Sequence, residues 1–253
     1  MRAIVLAAGR GERLAASNPD GHPKCLLQIG GRTLLARQLG TLNQLGINRV
    51  DLVVGYEADR LIEHVGSLTE RPPVSFLYNP RFLAGSVLSL LAAADILQGG
   101  EPTLLMDADV LFHPDILRRL LQSAHANCLL LDREFIPGDE PVKIAVANGI
   151  MIEFRKQLPP GLVFDQLGES VGFFRFDAST SAAVAAACAR YEAEGLADAP
   201  HEEALRDVLL SMPGRFGFED ITGLPWVEVD FAEDVERAER EVLPAIRDDV
   251  PGY

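Results

Sequence analysis

The sequence predicts an α/β protein: a single domain on one mixed, mostly parallel sheet flanked by helices, with a β-hairpin inserted in its second half. Three observations carry this expectation. In the first half, short apolar runs alternate with amphipathic stretches, the pattern of consecutive βαβ units. Near residue 132 the pattern changes, and two apolar runs then flank Asn148-Gly149, a strong signal for a two-residue hairpin turn. The 253 residues, 48% hydrophobic and 24% charged, suffice for a sizeable core and contain no repeat, low-complexity tract or long linker.

The elements follow in order. Arg2 to Leu6 is a short β-rich run, and Thr33 to Leu45 has helical spacing with Leu34, Leu35, Leu39, Leu42 and Leu45 apolar. Val50 to Val54 reads as a strand, Ala58 to Val65 as a helix and Val74 to Tyr78 as a strand. Ser86 to Leu97 is helical, Thr103 to Met106 a strand, and Pro114 to Ser123 a helix with its proline in the first turn. Cys128 to Leu131 is another apolar run. Val142 to Ala147 and Ile150 to Arg155 form the hairpin, with Lys143 expected opposite Phe154. Phe173 to Phe176 and Trp226 to Val229 read as short strands. Ser179 to Glu194, His201 to Ser211 and Asp234 to Val242 read as helices.

A formal net charge of -14 argues against a broad nucleic-acid or membrane surface. Cys25, Cys128 and Cys188 are widely spaced and odd in number, so neither a disulfide framework nor a metal-ligand set is expected. No signal-peptide pattern or long apolar run occurs. The expected setting is the cytoplasm, with no membrane insertion and no nucleic-acid partner.

Against that acidic background, the stretch Leu6 to Leu27 is glycine-rich and locally basic. It follows the first strand, where ligands bind at the carboxyl ends of parallel sheets. Glycines let backbone N–H groups approach phosphate oxygens. The dinucleotide fingerprint fails because Leu14 stands where its third glycine belongs. The Walker pattern fails because Lys24 lies between Pro23 and Cys25. A plain strand-to-helix turn is the remaining alternative, although it would not need the charge of Arg13 and Lys24. Asp107 and Asp109 end an apolar strand, with a spacing that puts both on one side of an extended chain. Such carboxylates suit Mg2+ on phosphates, the alternative being a solvated turn. Lys143 and Lys156, read as diagonal neighbours on one hairpin face, suit an anionic partner; the alternative is a solvated surface.

Leu6-Ala7-Ala8-Gly9-x-Gly11-x-Arg13-Leu14 followed by Pro23-Lys24-x-Leu26 resembles the signature of nucleotidyltransferases with the GT-A-like, Rossmann-related fold. The resemblance implies a Rossmann-like domain over 1–253. Residues 1–131 would form the nucleotide-binding half and 132–253 the acceptor-binding and closing half. It implies that Leu6, Ala7, Ala8, Gly9 and Gly11 wrap a nucleoside triphosphate while Arg13 and Lys24 bind its oxygens. By the match of Asp109-Val110-x-Phe112, Asp109 would hold the metal, with Asp107 second. Asp230, in Trp226-x-Glu228-x-Asp230, would hold the same metal, with Glu228 a weaker candidate and Asp234 a helix-terminal residue. A lysine of the hairpin, Lys143 or Lys156, would meet the acceptor phosphate.

The segment Asn79 to Ala93 resembles the branch that activates phosphocholine, aminoethylphosphonate and inositol phosphate with CTP. The resemblance places Ala84, Gly85 and Ser86 near the pyrimidine. Gly168-Glu169-x-x-Gly172 also resembles that branch and implies an acceptor contact from Glu169. Glu202 and Glu203, beside Trp226, would suit a cationic head group, and His201 reads as a helix-start residue. The implied function is a Mg2+-dependent cytidylyltransferase joining CTP to a small phosphorylated or phosphonylated alcohol, with a homodimer left open. The rivals are a sugar 1-phosphate nucleotidyltransferase using UTP, GTP or dTTP, and a non-catalytic nucleotide-binding protein.

Overall fold

The computed structural model describes residues 1–14, 21–250 and 253; the part of the predicted anion loop at 15–20 lies outside the described residues. The strands are β1 (Arg2–Ala7), β2 (Gln28–Ile29), β3 (Arg32–Thr33), β4 (Val50–Val54), β5 (Val74–Tyr78), β6 (Thr103–Asp107), β7 (Val110–Phe112), β8 (Asn127–Asp132), β9 (Lys143–Ala147), β10 (Ile150–Arg155), β11 (Gln166–Phe176), β12 (Phe216–Asp220) and β13 (Trp226–Glu228). The helices are α1 (Leu34–Gln44), α2 (Ala58–Ser67), α3 (Ser86–Leu91), α4 (Ala94–Leu97), α5 (Pro114–Gln122), α6 (Ala178–Ala193), α7 (His201–Ser211), α8 (Ala232–Arg237) and α9 (Leu243–Asp249). None of the helices among the described residues is long and apolar enough to cross a membrane.

The expected mixed sheet is present. Strands β5, β4, β1 and β6 pair in parallel, and β11 joins β6 antiparallel. β11 also pairs with β9 and β8, and β8 carries β12 in parallel. Strand β11 is longer than the predicted Phe173 to Phe176 because its first half pairs with the hairpin, through Gln166 to Glu169. Both sheet faces are covered, as period-two alternation within apolar runs requires. Ala3, Val5 and Leu52 point to a core shared with α1, α2 and α5, including Leu39, Leu61 and Leu117. Ile4, Val53, Leu105 and Phe174 point to a second core shared with α3, α4, α6 and α7. Each core draws residues from both sides of position 131.

The Asn148-Gly149 turn forms as expected, with both residues at positive φ (53° and 76°), the geometry that matches strand twist. The register beyond it differs from the expectation. Met151 pairs with Val146 but Glu153 pairs with Ala145, so Ile152 is an extra residue and Lys143 faces Arg155, not Phe154. This is a β-bulge. It turns Glu153, 3% exposed, toward α7, where Arg206 Nη2 donates to its carboxylate at 2.8 Å. The same-face relation expected of Lys143 and Lys156 is lost with the register. The predicted helix Ser86 to Leu97 is two shorter helices, α3 and α4. The three thiols are free and buried.

Candidate functional site

Two register relations build the site. β1 and β6 pair in parallel with Leu6 opposite Asp107, so the glycine loop and the Asp107–Asp109 turn leave the sheet side by side. β13 pairs antiparallel with β7, Glu228 opposite Val110, and Val229 N–H donates to Asp109 O at 3.0 Å. This short two-stranded ribbon brings Asp230 to Asp109 across more than a hundred residues of sequence. Both junctions lie at the carboxyl ends of the parallel strands.

The resulting cleft, about 500 Å3, is lined by Leu6, Ala7, Gly9, Gly11, Arg13, Lys24, Ser86, Asp107, Asp109, Lys156, Glu202 and Asp230, together with His201 and Glu228. Gly9 has open space where a Cβ would be, while at Gly11, φ +63°, a Cβ would crowd the Lys24 side chain at 3.1 Å. The loop thus keeps backbone accessible at Gly9 and needs glycine at Gly11 for both its conformation and its packing.

Charge in the cleft is opposed and paired. Lys24 Nζ lies 2.6 Å from Asp109 Oδ2 and also bonds Asp230 Oδ1. Burial works against the Lys24 charge, but Asp109 and Asp230 overcome it and raise the ammonium pKa. Arg13 donates to Asp230 Oδ2 and to Glu140 Oε2, each at 3.0 Å. Glu140 also accepts from Lys156 Nζ at 2.9 Å, and these bonds hold its carboxyl below the ordinary range. Glu140 gave no sequence signal, because it lies in an aperiodic stretch.

Asp109, Glu228 and Asp230 each offer a carboxylate oxygen within 4.8 Å of the others. Asp109 Oδ1 is buried and has no hydrogen-bond partner among the described residues. An all-oxygen set with an orphaned carboxylate oxygen fits a hard divalent cation. Glu228, ranked behind Asp230 in the sequence, is therefore the third member of the cluster. Confinement among protein atoms and repulsion from Asp109 and Asp230 push its carboxyl well above the usual range, although part of the side chain reaches solvent. Asp107 is raised in the same direction by burial, Asp109 and Glu202. Gly172, at φ +77°, stands against it: a Cβ there would lie 2.4 Å from Asp107 Oδ2. That close approach explains the second glycine of Gly168-Glu169-x-x-Gly172. Asp234 behaves as expected, its carboxylate accepting from Asp230 N and Phe231 N at 3.0 and 2.8 Å.

A second cavity of about 780 Å3 adjoins the cleft through Glu228 and Asp230. Asp132, Glu134, Glu140, Glu169 and Glu241 are among its walls, with Phe135, Trp226 and Phe231. Among the described residues Arg237 is the one cation lining it. Trp226 Nε1–H donates to the buried Asp132 carboxylate at 2.7 Å, which fixes the indole. Burial and then repulsion from Asp132 raise the Glu169 carboxyl to about 7.

Several sequence expectations need correction. Trp226 and Glu169 share this cavity, but Glu202 lines the cleft instead. Glu203 is held by Arg155 through two bonds, at 2.9 and 2.8 Å, so neither glutamate stands beside Trp226. Lys143 Nζ donates to the carbonyls of Gly138, Pro141 and Lys156 at 2.7, 3.3 and 2.6 Å. It ties the 138–141 loop to the hairpin, and only Lys156 of the pair lines the cleft. Gly85 packs against the 198–199 backbone, where a Cβ would sit 2.1 Å from Ala199 O, and its N–H donates to Ala197 O at 2.9 Å. Gly85 thus faces that segment, Ala84 packs against the core shared with α3, α4, α6 and α7, and Ser86 alone of the three lines the cleft. Ala8 is buried behind the loop, its carbonyl accepting from Tyr56 N at 3.0 Å.

Known proteins resemble this chain in sequence and fold. A family model described as the MobA-like NTP transferase domain matches residues 3–150. The bifunctional IPC transferase and DIPP synthase of Rubrobacter xylanophilus is 30% identical over 249 residues, covering 95% of this chain and 52% of that protein. The CMP-5'-(3-aminopropyl)phosphonate synthase of Streptomyces rubellomurinus is 27% identical over 248 residues, covering 96% of this chain and 39% of that protein. The chain spans about half, or less, of the length of these two relatives. Among solved structures, the inositol-1-phosphate CTP transferase from T. maritima has a TM-score of 0.76 at 20% identity, covering 97% of this chain and 96% of that one, which shows a common fold. Matched over residues 3–150 and aligned along 95% of its length with a relative at 30% identity, the chain belongs to the MobA-like NTP transferase domain family.

Proposed function

We propose that this chain is a nucleotidyltransferase that joins CTP to a small phosphorylated or phosphonylated alcohol and releases pyrophosphate. The observation that carries the reading is the opposed-charge cleft. Lys24 and Arg13 stand against Asp109 and Asp230, directly beyond the glycine loop at the sheet's carboxyl edge. An incoming triphosphate offers Lys24 and Arg13 oxygens in place of the carboxylates they now hold. Asp109, Asp230 and Glu228, so released, would hold Mg2+. The ion supplies neutralising charge to phosphate oxygens.

An oxygen of the acceptor phosphate attacks the α-phosphorus, its bond to that phosphorus forms, and the bond to the bridging oxygen breaks as pyrophosphate leaves. The acceptor is already an anion, so no general base is needed. The chain contributes positioning and charge: Lys24 and Arg13 on the triphosphate, and Lys156 at the side from which the acceptor enters. Lys156 is free to do so when a phosphate displaces Glu140.

The cytidine preference is supported by the CMP product in the name of the Streptomyces rubellomurinus relative. The cavity beside the reaction centre supports an acceptor that carries a positive group. Its carboxylates and aromatic faces suit an aminoalkyl or quaternary ammonium chain. Measuring pyrophosphate release with Mg2+ for CTP, UTP, GTP and dTTP against phosphocholine, aminoethylphosphonate, inositol 1-phosphate and glucose 1-phosphate tests the reading. Turnover confined to CTP with an amine-bearing acceptor is expected. Turnover with UTP or dTTP and the sugar phosphate would replace this proposal with the sugar reading.

A further inference from the structure

One corner of the cleft holds a group that the proposed chemistry does not use. His201 opens α7 and is only 4% exposed, yet it lines the cleft beside Ser86, Asp107 and Glu202. Its backbone N–H donates to Ser86 Oγ at 2.8 Å, and its Nδ1 lies 3.0 Å from the same oxygen. In the tautomer with Nδ1 as acceptor, the Ser86 hydroxyl, which already accepts from the amide, gives its one hydrogen to Nδ1. Glu202 Oε2 also approaches Nδ1, at 3.1 Å, but it makes no hydrogen bond. With Nδ1 accepting, the neutral ring carries its hydrogen on Nε2. That atom is buried and has no hydrogen-bond partner among the described residues.

A buried donor without an acceptor is costly, and native structures rarely leave one without a reason. Facing Nε2 is Asp107 Oδ1, at 3.7 Å, beyond hydrogen-bond reach. On its other oxygen Asp107 is pressed against Gly172, and its own carbonyl accepts from Gln38 Nε2 at 3.0 Å. The Asp107 carboxyl therefore stands between a tight glycine wall and an unsatisfied imidazole N–H, at the end of the strand that faces Leu6.

We infer that His201 is a positioning residue that sets the nucleoside specificity of the cleft: Ser86 fixes the ring, and Nε2–H closes onto Asp107 to hold its carboxyl against a hydroxyl of the bound ribose. The inference rests on the nucleotidyl-transfer reading. It makes the start of α7, in the second half of the chain, part of the nucleoside site, and it gives Ser86 a task that its neighbours Ala84 and Gly85 do not share.

The test is calorimetric binding of CTP, 2′-deoxy-CTP and 3′-deoxy-CTP to the full chain with Mg2+. Wild type is compared with His201→Phe, His201→Gln, Ser86→Ala, Asp107→Asn and the His201→Phe/Asp107→Asn pair, each checked for its melting transition. His201→Phe should weaken CTP by about tenfold. It should have little effect on whichever deoxynucleotide lacks the contacted hydroxyl. The double variant should be no worse than Asp107→Asn alone, because both act through one contact, and His201→Gln, which keeps an N–H, should recover part of the loss. Binding of CTP by His201→Phe within about twofold of wild type, or additive losses with unchanged sugar discrimination, would overturn the inference and leave His201 a packing residue. If wild type binds no nucleoside triphosphate, the functional reading itself fails, and this inference fails with it.

Discussion

The cleft and the cavity beside it share Glu228 and Asp230 but differ in how their charge is arranged. In the cleft every functional cation already has a carboxylate: Lys24 has Asp109 and Asp230, Arg13 has Asp230 and Glu140, and Lys156 has Glu140. In the cavity carboxylates dominate, with Arg237 alone against them among the lining residues. A balanced site can exchange partners when an anion and a cation arrive together. In the cavity burial and then repulsion from Asp132 raise Glu169 to about 7, and in the cleft Asp107 is raised too, first by burial. On the proposed reading, triphosphate and metal belong to one space and the acceptor's head group to the other.

The largest effect expected from breaking the balanced side is at the acids. Asp109→Asn and Asp230→Asn should each lower kcat by about a thousandfold or more, while circular dichroism shows a folded chain. Near-normal turnover in both would remove the metal assignment. Lys24→Met should follow. It strands Asp109 and Asp230 against each other, so in metal-free buffer the melting temperature should fall, by an amount equivalent to about 2–4 kcal/mol. Added Mg2+ should restore more of that loss than it adds to wild type, since the cation then takes the place of the ammonium. An equal response to Mg2+ in both proteins would mean that the ion does not bind where Lys24 now sits.

Gly172→Ala sharpens the comparison at the edge of the cleft. A left-handed backbone and a methyl group 2.4 Å from Asp107 Oδ2 should cost about 1–3 kcal/mol of stability in denaturant unfolding. The KM for CTP should rise as Asp107 is displaced. A variant as stable as wild type would show that the close approach relaxes freely.

On the unbalanced side the expected effect is smaller and depends on pH. Glu169 has a folded pKa of about 7, above its ordinary value of 4.5. The folded state therefore holds a proton in this window that the unfolded state has lost, and stability falls as pH rises from the ordinary carboxylate range to about 7. Glu169→Gln removes that titration. Its melting temperature should drop less than that of wild type between pH 5 and pH 8, and a parallel profile would show that Glu169 is not the group responsible. If the cavity binds the acceptor's cation, phosphocholine should flatten the wild-type profile too.

Legibility in the sequence divides along the same line. Arg13 and Lys24 stand out as basic residues in a glycine-rich loop, whereas Asp109 and Asp230 are singled out by the resemblance of the stretches that carry them. The mostly parallel sheet was equally plain from apolar runs separated by helical periods. Three things were not readable. The bulge at Ile152 arises because Glu153 is buried by Arg206, a partner about fifty residues away with no local signature. Strand β7 has three residues and exists only because β13 pairs with it. Glu140 sits in an aperiodic loop whose place is set by Lys143 and its three carbonyl contacts. The separation of Trp226 from Glu202 and Glu203 belongs to the same class: helix α7 faces the cleft at His201 and Glu202, whereas β13 faces the cavity.

The most direct test of the central claim is the product itself. Incubating the chain with CTP, Mg2+ and aminoethylphosphonate or phosphocholine, and following the mixture by phosphorus NMR, reports both halves of the transfer. The account predicts one coupled pair of signals from a CMP-linked product, matched one to one by pyrophosphate, and neither signal with Asp230→Asn. Pyrophosphate without a linked product, or a linked product only from glucose 1-phosphate with UTP, would contradict it.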